Sequence, residues 1–256
     1  MLEKPDARDS AIKECLVSEY GLNIVQVDFL PLGADRDTAV NRALADSGNP
    51  FFVKLRRGWF NEMASMVPRL LRDQGVEQII SPLMTPSQEL WVKLGDFTLT
   101  VSPFIEGVDS FEVNLTTPQW YELGRALKAI HTTAIPQALH ARLPQDEHSD
   151  QWRESVRTFQ ELIQKRTHSD EVAADLARLL QSKRDEITHI VRRSETLASV
   201  LQTRPRPFVL CHGDIHAWNI LIAADGSFYI EDWDTLVLAP KERDRKRCYL
   251  KTTNRD

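Results

Sequence analysis

The sequence has few cysteines and no long apolar run. Its cysteines, Cys15, Cys211 and Cys248, number three and lie far apart. An odd number of scattered cysteines is untypical of a disulfide framework or a zinc cluster and fits a reducing compartment. No stretch holds the roughly 20 apolar residues of a membrane span, and the charged N-terminal segment is unlike a secretory signal. We therefore expect a cytoplasmic protein without a membrane partner.

Several common motifs of nucleotide binding and catalysis are also missing. The sequence contains no G-x-x-x-x-G-K-[ST], no G-x-G-x-x-G and no G-x-S-x-G. No motif therefore supports a P-loop, a dinucleotide-binding turn or the nucleophile elbow of a hydrolase. Positive charge is in deficit as well, because 32 Lys and Arg residues oppose 37 Asp and Glu residues, for a net charge of −5. This balance disfavours general binding to nucleic acids.

The negative charge is unevenly distributed along the chain. Residues 245–256 hold five basic residues and one acidic residue, a charge of +4, which leaves 27 basic and 36 acidic residues, a charge of −9, for residues 1–244. A body of this charge suits a small cationic substrate. The last twelve residues lack the apolar periodicity of a helix, and we interpret them as an atypical tail.

The order of patterns along the 256 residues predicts an α+β protein. Strand-like alternation, interrupted by two amphipathic helices, fills the first part, and helical periodicity dominates the second. We place the boundary after residue 105, which gives a β-rich nucleotide-binding lobe (1–105), a mainly helical lobe (106–256) and a cleft between them. Nothing in the pattern indicates an oligomeric state.

Local signals predict the individual elements. Apolar residues at helical spacing and suitable cap residues predict helices over 10–20, 61–72, 117–133, 152–166 and 171–201. Alternation predicts strands over 23–30, 38–46 and 51–55, a hairpin around Gly95, and strands over 208–212, 220–224 and 228–232. In the first strand we expect Val25, Val27 and Phe29 to face the core.

The segment C-H-G-D-I-H-A-W-N-I-L is the densest in chemistry. Asp214 is followed five residues later by Asn219, and Asp232 comes thirteen residues after that. Kinases use this order and spacing for a carboxylate that accepts the proton of the acceptor hydroxyl, and for a carboxamide and a second carboxylate that hold Mg²⁺ on ATP. We therefore predict a catalytic loop, 212–219, and a metal-binding segment, 228–234. The alternative is that Asp214 is a turn residue and Asp232 closes a strand.

Matching parts for ATP are expected in the first half of the chain. Lys54 lies in F-F-V-K-L, and a charged head in an apolar strand is costly unless it is paired. Glu62, in the following helix, can supply the pair, so we assign both residues to the ATP site. Gly33, in the loop P-L-G-A-D-R-D, is a further candidate, since its backbone could cover the phosphates. The alternatives are a solvent-facing Lys54 and a solvated Glu62.

These segments together resemble the aminoglycoside phosphotransferase family, which is related to the protein kinases. The likeness continues through V-S-P-F-I-E-G (101–107), Q-W-Y-E-L-G-R-A-L-K-A-I-H (119–131) and L-A-P-K-E-R-D (238–244), and so covers nearly the whole chain. The resemblance implies a kinase-like fold of two lobes, ATP and Mg²⁺ as cofactors, and a hydroxyl of an aminoglycoside or aminocyclitol antibiotic as acceptor.

The resemblance also implies roles for further residues. Pro103, Phe104 and Ile105 would form the hinge whose backbone meets adenine. His212 would support the catalytic loop from within the protein. The resemblance would also make Asp214 the catalytic base, and it implies the metal ligands and the phosphate-binding lysine that are assigned above.

Two features depart from the family pattern. Position 231 holds Glu where the family usually has an apolar residue, and we expect its side chain to point away from the site. The family-like sequence stops at Asp244, whereas family members continue with apolar helices that complete the second lobe. We therefore expect a truncated chain that lacks these C-terminal helices.

Other interpretations stay open at this point. The chain can be a truncated kinase remnant that binds nucleotide with little or no turnover, or a kinase of another hydroxyl compound such as choline, homoserine, a sugar or a ketosamine. His212, Asp214 and His216 are spaced so that they could ligate zinc. Trp218 and Trp233, which flank the proposed metal ligands, are expected to pack beneath the catalytic loop.

Overall fold

The computed structural model describes residues 4–33, 35–165, 170–204 and 206–244. The described residues divide into two compact units: the stretch between Gln145 and Pro207 forms the second, and the described residues before and after it form the first. The predicted boundary after residue 105 falls inside the first unit and stays a prediction. The predicted tail, 245–256, lies outside the described residues.

The described helices and strands alternate in the order expected of an α+β protein. The first are α1 (Asp9–Tyr20), β1 (Ile24–Leu30), β2 (Thr38–Ala45), β3 (Pro50–Arg57), α2 (Met63–Asp73), β4 (Val92–Leu94), β5 (Phe97–Pro103) and β6 (Gly107–Asp109). They are followed by α3 (Thr117–Thr132), α4 (Gln137–His140), α5 (Gln151–Lys165), α6 (Glu171–Ser182), α7 (Arg184–Gln202), β7 (Val209–Cys211), β8 (Ile220–Ala223), β9 (Phe228–Ile230) and β10 (Val237–Ala239).

A five-stranded antiparallel sheet of order β1-β2-β3-β5-β4 dominates the first half. One of its faces packs against α1, and Val53 and Leu55 of β3 are completely buried in that core. Side chains alternate between the faces of a strand, so Lys54 lies on the other face. There its neighbours in register are Val40 of β2 and Thr100 of β5.

The prediction for β1 is wrong at one position. The β1–β2 register shifts between Ile24 and Gln26, and such a bulge changes the face on which the residues beside it lie. Ile24 and Val27 are therefore buried and Phe29 packs against the core, whereas Val25 is 55% exposed.

Two small antiparallel pairings connect the segments that carry the chemistry. β6, β8 and β9 form a three-stranded sheet, and β7 pairs with β10. The backbone N–H of Glu231, just after β9, donates to the carbonyl of Asn219, just before β8, at 3.0 Å. The hairpin therefore brings the end of the catalytic loop alongside the start of the metal-binding residues.

The second unit consists of α5, α6 and α7. The predicted helix over 171–201 is two helices, because Lys183 closes α6 and precedes α7. Exposed apolar side chains recur at helical spacing on α5 (Trp152, Val156 and Phe159) and on α6 (Val172, Leu176 and Leu179). Within the described residues no helix combines the length and the apolar character needed to cross a membrane.

Candidate active site

The catalytic loop begins with a completely buried histidine. His212 donates from Nε2 to the carbonyl of Glu231 at 2.7 Å, and its Nδ1 accepts from the backbone N–H of Asp214 at 3.3 Å. Its ring also meets Trp233 edge to face, with 4.6 Å between ring centroids. Burial lowers the pKa of His212 below its usual value. A neutral imidazole with one donor and one acceptor nitrogen satisfies both contacts and fixes the loop to the end of β9.

Gly213 allows this loop to lie directly on the segment after Asp232. Its φ of +86° is a left-handed conformation, and a Cβ at this position would lie 2.4 Å from the carbonyl oxygen of Thr235. The Thr235 hydroxyl in turn donates to the carbonyl of His212 at 3.1 Å. A side chain at position 213 would therefore force the two segments apart.

Asp244 contacts the predicted catalytic loop, and the sequence analysis gave it no role. Its side chain is completely buried, and it accepts from the backbone N–H of Gly213 at 2.8 Å and of His212 at 3.2 Å. His131, in the last turn of α3, contacts the same carboxylate at 2.8 Å. The available signal was L-A-P-K-E-R-D at the end of the family-like sequence, but nothing in those letters indicates which partner the Asp has.

Asp214 and Asn219 lie at the two ends of the loop and are tied together. The Asn219 side chain is largely buried, and its Nδ2 donates to the backbone carbonyl of Asp214 at 3.0 Å. No hydrogen bond to Asn219 Oδ1 is found among the described residues, so this oxygen is available to a cation. The Asp214 carboxylate is 24% exposed, and its Oδ2 lies 3.4 Å from Nε2 of His216.

Asp232 and Lys54 come together from distant parts of the chain. Lys54 Nζ lies 2.7 Å from Oδ2 of Asp234 and 3.8 Å from Oδ1 of Asp232. Asp232 has φ 57° and ψ 73°, a left-handed conformation that costs a non-glycine residue about 1–3 kcal/mol and that concentrates at functional sites. Carboxylate and amide oxygens are hard ligands of the kind that Mg²⁺ prefers, so Asp232 and Asn219 fit that ion chemically.

The predicted ion pair between Lys54 and Glu62 is wrong. In the described part of the chain Glu62 pairs with Arg142, and Lys54 pairs with the two aspartates. Glu62 precedes the first residue of α2, where the guanidinium of Arg142 reaches it, while the 3-10 turn Trp233–Thr235 brings Asp234 to β3. Asp234 was missed, although the alternating D-W-D was a visible signal.

The predicted hinge connects β5 to β6. The backbone N–H of Phe104 donates to the carbonyl of Pro50 at 3.3 Å, and Arg42 lies over the Phe104 ring at 5.3 Å from its centroid. Pro103 ends β5, and the half-buried Ile105 follows. Because Phe104 has used its N–H, Ile105 is the better candidate of the two for a backbone contact to a base, and the roles of all three remain predictions.

The loop with Gly33 lies between β1 and β2. Gly33 has a φ of 83°, and the loop is held to β3 because Arg56 pairs with Asp35 and donates to the Thr38 hydroxyl at 2.8 Å. One backbone hydrogen bond, the ion pair with Arg56 and one side-chain hydrogen bond also hold the pKa of Asp35 below its usual value. Residue 34 lies outside the described residues, and the role of Gly33 remains a prediction.

Glu231 is half-buried beside other carboxylates. Burial first, and then the negative charges of Asp232 and Asp109, raise its pKa to about 7. The expected direction of the Glu231 side chain, away from the site, stays a prediction.

The zinc interpretation has no support in this geometry. Both ring nitrogens of His212 are already bonded to the protein. Among the described residues, the cluster with suitable ligand spacing is instead His131, Cys211 and Asp244. Burial, and then the charge of Asp244, raise the pKa of Cys211 to about 12, so the thiol is protonated at neutral pH in the metal-free protein.

The two tryptophans of the site differ. Trp233 is 4% exposed and packs beneath the loop as expected. Trp218 is 60% exposed, so the expectation for this residue is wrong. Its ring stacks on Phe111 instead.

The structure combines an antiparallel sheet, a loop anchored on buried His212 and Asp244, and a hairpin that brings Asp232 near Asn219. This arrangement is the one expected of a phosphoryl-transfer enzyme. The model of the phosphotransferase enzyme family matches residues 61–244. The chain belongs to this family and is a phosphotransferase, as its motifs predicted.

Among solved structures the chain is similar to a spectinomycin phosphotransferase in complex with ADP and spectinomycin, with 35% identity and a TM-score of 0.86, over 94% of this chain and 73% of that one. An AMP-bound complex of spectinomycin phosphotransferase has 34% identity and a TM-score of 0.82, over 92% and 72%. An amicoumacin kinase, at 16% identity and a TM-score of 0.61 over 94% and 68%, shares the fold. No curated protein matches the chain. The kinase-like α+β fold is thereby confirmed.

Proposed function

We propose that this protein transfers the γ-phosphoryl group of ATP to a hydroxyl of an aminocyclitol antibiotic such as spectinomycin, and so confers resistance. The observation that carries the proposal is the gathering of Lys54, Asp214, Asn219 and Asp232 by one sheet and one hairpin. The spectinomycin phosphotransferase structures, which contain ADP with spectinomycin, or AMP, support this choice of nucleotide and acceptor.

Each residue has a distinct part in the proposed reaction. Asp214 orients the acceptor hydroxyl and takes its proton as the oxygen attacks the γ-phosphorus. The bond between the γ-phosphorus and the β–γ bridging oxygen breaks, and ADP leaves. Lys54, whose ammonium already lies against acidic side chains, aligns the phosphates of ATP. Asn219 and Asp232 would hold Mg²⁺, which neutralises charge on the transferred group when bound. Positioning and electrostatics supply most of the rate enhancement in reactions of this kind.

The charge of the chain supports an amine-bearing acceptor. Residues 1–244 carry a charge of −9, which attracts cations and raises their local concentration. This charge suits spectinomycin and choline alike, so a panel of acceptors is needed. A coupled assay of ADP release with spectinomycin, choline, homoserine, a sugar and a ketosamine distinguishes them, and we expect the highest kcat/KM with spectinomycin.

The central experiment mixes the purified protein with ATP, Mg²⁺ and spectinomycin, and follows ADP release and the phosphorylated product by mass spectrometry. We expect Asp214→Asn to lower kcat by a factor of about 10²–10⁴, the usual contribution of a positioned base. Asp96→Asn, an exposed carboxylate beside Gly95 in the β4–β5 hairpin, is the matched control and should leave kcat unchanged. Activity that survives in Asp214→Asn, or a wild-type protein that binds ATP without transfer to any acceptor, contradicts the proposal.

A further inference from the structure

Two exposed aromatic rings lie face to face beside the catalytic loop. Phe111 and Trp218 have ring centroids 4.5 Å apart and an interplanar angle of 24°. They are 51% and 60% exposed. Lone exposed apolar residues are ordinary, but contiguous exposed apolar surface marks a place of binding. We call these two residues the aromatic pair.

The aromatic pair is held in place by hydrogen bonds of its own segments. The backbone N–H of Trp218 donates to Nδ1 of His216 at 3.2 Å, and that of Phe111 donates to Asp109 at 2.9 Å. Ser110 joins the two segments, because its hydroxyl donates to the carbonyl of Ala217 at 3.0 Å. These bonds fix the backbone that carries each ring, and the two rings also pack on each other. This limits the conformational entropy that the rings lose when a ligand binds.

A continuous line of side chains leads from the aromatic pair to Asp214. The His216 ring meets Trp218 edge to face, with 5.9 Å between centroids and an interplanar angle of 87°. On its other side, Nε2 of His216 lies 3.4 Å from the Asp214 carboxylate. Asn219, the neighbour of Trp218, is buried and bonded to the loop. Trp218 is thus on the solvent side of the loop and Asn219 on its inner side.

We propose that the aromatic pair is a wall of the acceptor site and binds a saturated ring that carries ammonium groups. The inference rests on the proposed function and names which residues select its acceptor. An indole face attracts cations through its quadrupole, and a flat aromatic surface covers the C–H face of a cyclic polyol. A ring bound on Trp218 presents its hydroxyls toward His216 and Asp214. Trp218 is then a specificity-determining residue.

The test compares steady-state kinetics of Trp218→Leu and Trp218→Phe with ATP, Mg²⁺ and spectinomycin. Leucine keeps apolar bulk but has no aromatic face, so we expect its KM for spectinomycin to rise about tenfold or more. Phenylalanine keeps a ring, so the rise should stay within about threefold. The KM for ATP should change little in either variant. Trp120→Leu, on the exposed side of α3, is the control and should match the wild type.

The outcomes separate this inference from the proposed function. If the wild type phosphorylates spectinomycin and Trp218→Leu keeps its acceptor KM, the aromatic wall is refuted and the proposed function stands. Equal losses in Trp218→Leu and Trp218→Phe, or a parallel rise in the KM for ATP, indicate a structural role and also refute it. A wild type that transfers no phosphate to spectinomycin refutes the proposed function and this assignment together. Phe111→Leu, in which Trp218 is intact, should raise the acceptor KM as well.

Discussion

Substitution of Asp244 is the most direct test of how the catalytic loop is held. The buried carboxylate accepts from Gly213 at 2.8 Å, His212 at 3.2 Å and His131 at 2.8 Å. In Asp244→Asn, whichever way the amide turns, at least one of these donors faces an NH₂ group, and the others lose a charged acceptor. Hydrogen bonds to charged groups contribute about 1.5–3 kcal/mol each and neutral ones about 0.5–1.5 kcal/mol. We therefore expect the variant to lose about 3–5 kcal/mol of unfolding free energy.

The assay is urea unfolding followed by tryptophan fluorescence, with kcat measured on the folded fraction. Asp225→Asn is the matched control, because Asp225 also accepts two hydrogen bonds, both from Ser227, but is exposed. Its loss should be much smaller than that of Asp244→Asn, because solvent replaces these hydrogen bonds. His131→Phe removes one of these contacts to Asp244, so its loss of stability should lie between those of the two variants. An Asp244→Asn protein as stable as the control would refute the idea that this carboxylate anchors the loop.

Three further changes test other parts of the site. Glu231→Gln should be more stable than the wild type by about 2 kcal/mol at pH 8 and equal to it near pH 4. The reason is that the pKa of Glu231 is raised to about 7, so the wild type loses stability as this carboxyl ionises between pH 4.5 and 7. Thermal melts across this pH range check the prediction, and a difference that does not change with pH would contradict it. Gly213→Ala should lower the free energy of unfolding by about 2 kcal/mol or more beyond the effect of Gly226→Ala. Both glycines have φ near +85°, but only a Cβ at position 213 would meet a carbonyl, that of Thr235. Urea unfolding measures both variants. Lys54→Met should lower kcat/KM for ATP by about tenfold or more, and an unchanged value would remove Lys54 from the nucleotide site.

The parts of the site that follow one another along the chain could be predicted from the sequence. Asp214, Asn219 and Asp232 are separated by fixed numbers of residues and belong to one loop and one hairpin, so local geometry already brings their backbones together. Lys54 was likewise recognisable, because a charged residue between buried neighbours in a strand must lie on the other face. The α+β class followed from the order of the two periodicities.

The contacts that cross the fold could not be predicted in the same way. Lys54 had Glu62 as the nearest plausible partner in sequence, but its partners in space are Asp232 and Asp234, far away along the chain. Asp244 gives no local signal, since its partners are backbone N–H groups that every residue type carries. Val25 was misplaced for a similar reason, because a single bulge, absent from the apolar pattern, reverses the face of a strand residue.

Hydrogen bonds and packing beneath the catalytic loop explain how the unfavourable environment of Glu231 and the unfavourable backbone of Asp232 persist. Glu231 is a half-buried acid and Asp232 has a strained backbone, and both features cost stability. Contacts on both sides of this segment stabilise it. The carbonyl of Glu231 accepts from His212, and the N–H of Glu231 donates to the carbonyl of Asn219. Trp233, the next residue along the chain, is buried. Because each of these contacts also positions the catalytic loop, loosening the strained segment would displace Asp214 and Asn219 as well. The strained backbone of Asp232 and the order of the catalytic loop therefore depend on the same contacts. Variants that relieve the strain at Asp232 should lower turnover even where they raise the melting temperature.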